Sequence, residues 1–160
     1  MANSITTQVI EDGERYNITR VDFLLDTSNA SETLIVDFPG MSLTHPPSSE
    51  VRLERIWYSI QDPIEVRLMW QADTSTAFMD IAGRGDEKFW VFGGLTNTAT
   101  TGKTGSITML TNGWASGSIG GSMVFQCVKC SSTTGLAAGR LLTESSDSLQ
   151  AETGAFINIG

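Results

Sequence analysis

Apolar and polar residues alternate with a period of two along much of this chain, the spacing that turns one face of a β-strand inward and the other outward. Ile64, Val66, Leu68 and Trp70 alternate with Glu65, Arg67, Met69 and Gln71, which predicts a strand buried on its Trp70 side with Met69 facing out. Residues 51–60 carry Val51, Leu53, then Ile56, Tyr58 and Ile60, the same period with one phase slip at Arg55. The turn Gln61-Asp62-Pro63 joins these two segments and predicts a hairpin. Within residues 15–25 the phase changes near Arg20, between Tyr16, Ile18 and Val21, Phe23, Leu25. A strand with a bulge, or two short strands, restores the inward phase there.

Leu34, Ile35, Val36 and Phe38 predict a further strand stopped by Pro39-Gly40, and the two prolines of His45-Pro46-Pro47 predict a loop, since they donate no ladder hydrogen bonds. Phe78, Met79 and Ile81 allow a short strand ended by residues 83–86, residues 88–92 another, and residues 106–110 the next. Asn112-Gly113 fits a tight type I′ hairpin turn. The last long strand, residues 118–130, places Met123, Phe125 and Cys127 on one face and Val124, Gln126 and Val128 on the other. Helix signals are scarce; residues 136–149 are the serious candidate, weakened by Gly139 and the run Ser145-Ser146-Asp147-Ser148. About seven to nine strands between Gly, Pro and Thr turns predict an all-β fold. The expected form is an antiparallel β-sandwich or jelly-roll-like small barrel with extended termini. The division expected is an N-terminal arm (1–14), a sandwich domain (15–130) and a polar C-terminal extension (131–160) that ends in Ala155-Phe156-Ile157-Asn158-Ile159.

Composition supports one folded domain: 160 residues, 40% hydrophobic and 18% charged, suffice for a core without disulfides or a metal. Ten basic against eighteen acidic side chains give a net charge of −8, which argues against nucleic acid and anionic membranes as partners and for proteins. No window approaches the roughly 18 apolar residues of a membrane helix. The start Met-Ala-Asn-Ser-Ile has no signal-peptide pattern, so synthesis in a cytosol-like compartment is expected.

The chemistry-bearing residues do not assemble into a site. Cys127-Val128-Lys129-Cys130 has the spacing of a metal knuckle or redox pair, but it ends a strand rather than opening a helix, and the lone His45 cannot complete a zinc set. Structural thiols are the expectation, ahead of an intersubunit metal or disulfide. Asp80, Asp86 and Glu87 lack an EF-hand pattern, and Arg84-Gly85-Asp86 is a short run of common residues. Thr101-Gly102-Lys103-Thr104 has Asn97 where a phosphate loop needs glycine. No catalytic, cofactor-binding or metal-ligating residue is assigned, and a non-enzyme is expected. The aromatics Trp57, Tyr58, Trp70, Phe89, Trp90, Phe92 and Trp114 divide between core and surface; if Phe89 is buried, Trp90 faces a partner or a sugar.

Three stretches carry a resemblance. Val51-Arg52-Leu53-Glu54-Arg55-Ile56-Trp57-Tyr58-Ser59-Ile60, Val66-Arg67-Leu68-Met69-Trp70-Gln71-Ala72, and Phe92-Gly93-Gly94-Leu95-Thr96-Asn97 with Gly102-Lys103-Thr104-Gly105-Ser106-Ile107 together resemble small structural proteins of tailed bacteriophages. The resemblance spans roughly residues 15–129; the extension from Ser131 onward departs from the family's shorter members. It implies a virion component on the capsid surface, a cement or decoration protein that clamps neighbouring capsomers, with the major capsid protein and copies of itself as partners in a homo-oligomer. The apolar termini then become intersubunit contacts, so Ile5, Val9, Ile10, Trp90, Phe156, Ile157 and Ile159 are the expected interface residues. Two alternatives stand beside it: a phage tail or fibre-associated host-binding domain, and a carbohydrate-binding module or minor hydrolase that uses an exposed tryptophan with Asp80 or Asp86.

Overall fold

Period-two alternation becomes strand after strand. A computed structural model describes residues 2–41 and 48–131, whose strands are β1 (Ser4–Asp12), β2 (Tyr16–Leu25), β3 (Thr33–Val36), β4 (Ser48–Ile60), β5 (Glu65–Trp70), β6 (Thr76–Ala82), β7 (Arg84–Lys88), β8 (Leu95–Thr96), β9 (Ile107–Asn112) and β10 (Ile119–Ser131). One antiparallel sheet has the order β1-β2-β10-β4-β7, with β8 pairing β4 off this path; the other has the order β3-β9-β5-β6. With β1 and β8 set aside, the remaining strands follow jelly-roll order, in which the chain crosses between sheets at nearly every connection. The protein is an all-β sandwich of two antiparallel sheets, as the alternation predicts.

The core lies between the sheets. Leu25, Leu53, Ile56, Ile64, Leu68, Trp70, Ile107, Met109, Met123 and Phe125 are sealed from solvent, and Trp70 stacks on Phe78 with ring centroids 4.8 Å apart. Each such side chain contributes roughly 1.5–3 kcal/mol by leaving water. On β10, Met123, Phe125 and Cys127 are all fully buried, the face assigned to them by alternation.

Several sequence expectations are corrected. The hairpin expected across Gln61-Asp62-Pro63 does not form, because β4 belongs to one sheet and β5 to the other; the turn carries the chain across the sandwich. Asn112-Gly113 likewise ends β9 and leads to β10 in the opposite sheet. Gly113 alone takes positive φ, at 94°, so a type I′ turn is not made. Of residues 83–86, read as a strand end, Gly83 alone makes the turn and residues 84–86 begin β7, and residues 90–92 form a 3-10 turn where a strand was expected. Met69 keeps the outward phase, since β5 pairs β9 without a register shift and Met69 lies outside the core cluster that holds Leu68 and Trp70, yet it is buried rather than exposed; the β5–β6 shift leaves Phe78 of β6 as the extra residue.

The phase change near Arg20 has a different origin from a bulge. β2 pairs β10 without interruption from Tyr16 to Leu25, and its inward residues are Asn17, Thr19, Val21, Phe23 and Leu25, all buried. Two of these five are polar, so the apolar alternation of Tyr16 and Ile18 belongs to the outer face. The slip at Arg55 is a real irregularity: the β4–β10 register shifts between Arg55 and Leu53, which leaves Glu54 as the extra residue.

Candidate functional site

The outer face of the larger sheet concentrates surface aromatics and fixed charge. Ile56 is fully buried, so its strand neighbours Arg55 and Trp57 point outward. The register sets Trp57 between Val124 of β10 and Asp86 of β7, and Arg55 between Gln126 and Lys88. Arg55 donates from Nε to Asp86 Oδ1 at 2.7 Å and from Nη2 to Oδ2 at 2.6 Å. Its guanidinium carbon lies 4.0 Å from the Trp57 ring centroid and 5.3 Å from that of Trp90. The two-point clamp fixes the cation, and the cation in turn orients both indoles. The same hydrogen bonds hold the Asp86 carboxyl below the usual carboxylate range and push the Arg55 guanidinium up.

Trp90 stands at the start of the 3-10 turn Trp90–Phe92. Phe89 anchors this turn: its side chain is buried, its amide donates to Glu54 O at 2.7 Å, and its carbonyl accepts from Gly94 N at 2.8 Å. With Phe89 turned inward, the next three residues project, leaving Trp90, Val91 and Phe92 exposed by 42, 79 and 66%. Lys88 Nζ lies 5.9 Å from the Trp90 ring. The result is an apolar tip beside a cation-braced tryptophan pair on a sheet face.

The sequence-derived candidates scatter. Ile5, Val9 and Ile10 lie on β1, at the opposite edge of the sheet from Trp90. Phe156, Ile157, Ile159, His45 and the helix candidate 136–149 lie outside the described residues. Asp80 and Asp86 sit on different sheets, and each is clamped by an arginine, Asp80 by Arg67 at 2.8 and 3.0 Å. Arg84-Gly85-Asp86 is built into a paired strand, where a Cβ on Gly85 would approach the Tyr58 ring to 2.3 Å. Trp114 is not platform material, because its ring packs against the core cluster and its Nε1 donates to Gly117 O at 2.9 Å. Arg55 and Trp57 were not singled out as a pair from sequence. The available signal was the Arg-x-Trp spacing on the outward phase after the slip.

Cys127 and Cys130 are both free thiols. Three residues apart on a strand, they fall on opposite faces, which rules out a shared ligand or a local disulfide. Among the described residues, no group of three or more His, Cys, Asp or Glu is placed to hold a metal ion. Burial, with Glu54 nearby, pushes the Cys127 thiol from 9.0 up to about 12. The unfolded chain releases that proton at the ordinary thiol value while the folded chain keeps it. Stability present below that value is therefore lost as pH rises through the folded one. Urea midpoints are expected to fall above pH 9.0, less so in Cys127→Ala. In native buffer alkylation should reach Cys130 and spare Cys127; equal labelling would contradict the burial.

A second feature is a cleft of about 320 Å³ between the sheets on the β1 side, lined by Thr7, Val9, Asn17, Thr19, Leu34 and Asp37 among others. Its inner wall is wired: Thr19 Oγ1 donates to Asn17 Oδ1 at 2.8 Å, and Asn17 Nδ2 to Asp12 Oδ1 at 3.3 Å.

No family model matches the chain, and no curated protein matches it. Among solved structures it is similar to a cupin-superfamily protein of Desulfitobacterium hafniense DCB-2. That match has 12% identity, covers 81% of each chain and has a TM-score of 0.31; at that level it carries nothing about function. The resemblance to phage structural proteins read from sequence is corrected: no family model of any kind matches the chain, and the similar solved structure is described as a cupin-superfamily protein. The cement role, the capsid-surface location and the phage tail or fibre alternative are set aside together. The physical reason lies in the stretches themselves: residues 51–60 and 66–72 are alternating strands β4 and β5, and residues 92–97 and 102–107 are largely the turns that join strands. Such segments report the demands of a jelly roll, not the identity of a partner.

Proposed function

We propose that the protein is a non-enzymatic carbohydrate-binding β-sandwich that holds a neutral glycan on the outer face of its larger sheet, with Trp90 as the stacking residue. The carrying observation is the preorganised pair of indoles, Trp57 and Trp90, braced on one guanidinium that Asp86 locks in place. A sugar ring needs a fixed apolar surface for its C–H face and fixed donors and acceptors for its hydroxyls; rigid aromatics offer the first at low entropic cost. Gln126 and Lys88 flank Arg55 in the register and offer the second. The net charge of −8 disfavours acidic polymers at a distance.

A binding role is also supported by the carboxylates. Glycoside hydrolysis needs two of them across one bond, one kept protonated. Asp80 and Asp86 lie on separate sheets, and each is held below the usual carboxylate range by its arginine.

Affinity electrophoresis through gels containing soluble α- and β-linked neutral hexose polymers tests the proposal. The wild-type chain should be retarded by at least one polymer. Trp90→Ala should weaken that retention about 30-fold, the loss typical of a central tryptophan anchor, while Trp114→Phe should keep it. Mobility unchanged by every polymer, or retention unaffected in Trp90→Ala, would refute the proposal.

A further inference from the structure

The four lateral edges of the two sheets are not equally protected. At one end of the larger sheet, β7 carries Arg84, Asp86, Glu87 and Lys88 in five residues. In the smaller sheet β3 is only four residues long, and β6 bears the Arg67-clamped Asp80. Charge and shortness are the usual means by which a free edge avoids pairing with another chain. The fourth edge has neither. β1 runs nine residues, Ser-Ile-Thr-Thr-Gln-Val-Ile-Glu-Asp, and among the described residues is bonded to β2 on one side only. It contains no Lys, Arg or Pro, and its carboxylates are confined to Glu11 and Asp12 at one end. Val9 and Ile10 are exposed by 58 and 56%.

The inner face of β1 is covered at one end only, where Ile5 packs against the core cluster. Ile5, Thr7 and Val9 share the phase of the buried Phe23, Val21 and Thr19 with which they pair. Yet Val9 remains open, on the rim of the cleft that separates β1 from β3. Among the described residues the outer edge of β1 has no strand beside it and Val9 stays exposed, and such an edge invites strand addition.

We propose that β1 pairs antiparallel with β1 of a second copy across a two-fold axis at Thr7, joining the two larger sheets into one continuous sheet. The sequence of the strand is self-complementary in this register. Ile5 of each copy meets Val9 of the other on the inner face, and Thr6 meets Gln8 on the outer face. The paired stretch Ile5 to Val9 ends where the β1–β2 register shifts, between Val9 and Glu11. The acidic end of each strand passes beyond the other copy's uncharged Ser4, so Glu11 and Asp12 of the two copies are kept apart. A parallel pairing in register would instead stack those carboxylates, which is unfavourable. This interface is independent of the glycan reading and leaves Trp90 free at the far edge.

Sedimentation equilibrium on the full chain at about 100 μM, above a micromolar Kd of the kind small interfaces reach, should show a dimer in 0.15 M salt, the level that screens net repulsion between acidic chains. Val9→Lys should raise the dimer Kd about tenfold or more, whereas Val91→Lys, at the other side of the sheet, should leave it unchanged. In a Cys130→Ser background, Thr7→Cys should form a disulfide-linked dimer under mild oxidation, because paired antiparallel residues have Cα separations within disulfide range. A monomer that resists crosslinking through Thr7→Cys would overturn the proposal. So would a dimer indifferent to Val9→Lys, or dimerisation that begins only when residues 154–160 are deleted, which would give the edge to the chain's own C-terminus.

Discussion

Phe125→Ala should lower the unfolding free energy by about 3–5 kcal/mol, the cost of emptying a large aromatic site in a core that cannot close around it. Phe125 is fully buried on β10, the strand that binds β2 on one side and β4 on the other through Thr19 and Ile56. Hydrogen bonding on both edges fixes the backbone, so the cavity cannot collapse by strand movement. Val124 provides the control, since it lies one residue away on the outer face and is half-buried; Val124→Ala should cost under about 1 kcal/mol. Urea titrations of both variants check this, read as a shift in midpoint at unchanged slope. Comparable losses would mean that the two faces of β10 are not what the sandwich makes them.

This inside-outside contrast was the most legible part of the sequence. From residue 118 onward, alternation puts Met123, Phe125 and Cys127 on one face and Val124, Gln126 and Val128 on the other, and the first face is the one sealed in the core. The all-β class follows from the same signal repeated. What alternation does not encode is which strands pair. A two-residue or three-residue connection reads as a hairpin wherever two alternating segments flank it, yet a jelly roll uses equally short connections to change sheets. Both Gln61-Asp62-Pro63 and Asn112-Gly113 were misread for that reason.

The site was less legible because its parts come from three places in the chain. Arg55 and Trp57 are neighbours on one strand, but the clamp depends on Asp86, which the sequence placed in a strand-ending turn. Only the β4–β7 register brings Trp57 opposite Asp86 and Arg55 opposite Lys88. The polar wall on β2 was hidden in another way. Asn17 and Thr19 occupy inward positions, so the apolar periodicity of Tyr16 and Ile18 marks the outer face there. Polar residues on a core phase mark either a solvated opening or a hydrogen-bonded cluster, and here both are present.

That cluster supports the second large effect. Lys129 follows Cys127 on the inward phase of β10, and its side chain is 1% exposed against 24% for Asp12. Its Nζ donates to Asp12 Oδ1 at 2.5 Å and to Gly13 O at 2.7 Å, tying the end of β1 to the central strand. Asp12→Asn keeps the shape and removes a negative charge that faces the buried ammonium at close range. Breaking a fully buried pair in this way costs about 3–5 kcal/mol; because the carboxylate is partly solvated, about 1–3 kcal/mol is expected. Asp12→Asn combined with Lys129→Met removes both charges and should recover part of the loss, since an apolar replacement of a buried pair is often close to neutral. A double-mutant cycle in urea measures the coupling, and amide exchange across β1 should accelerate in Asp12→Asn with β10 less affected. If the single substitution is silent, or the double is worse than the sum of the singles, the tie contributes nothing to the fold. The same measurement bears on self-association, because a frayed β1 would also weaken the two-fold strand pairing.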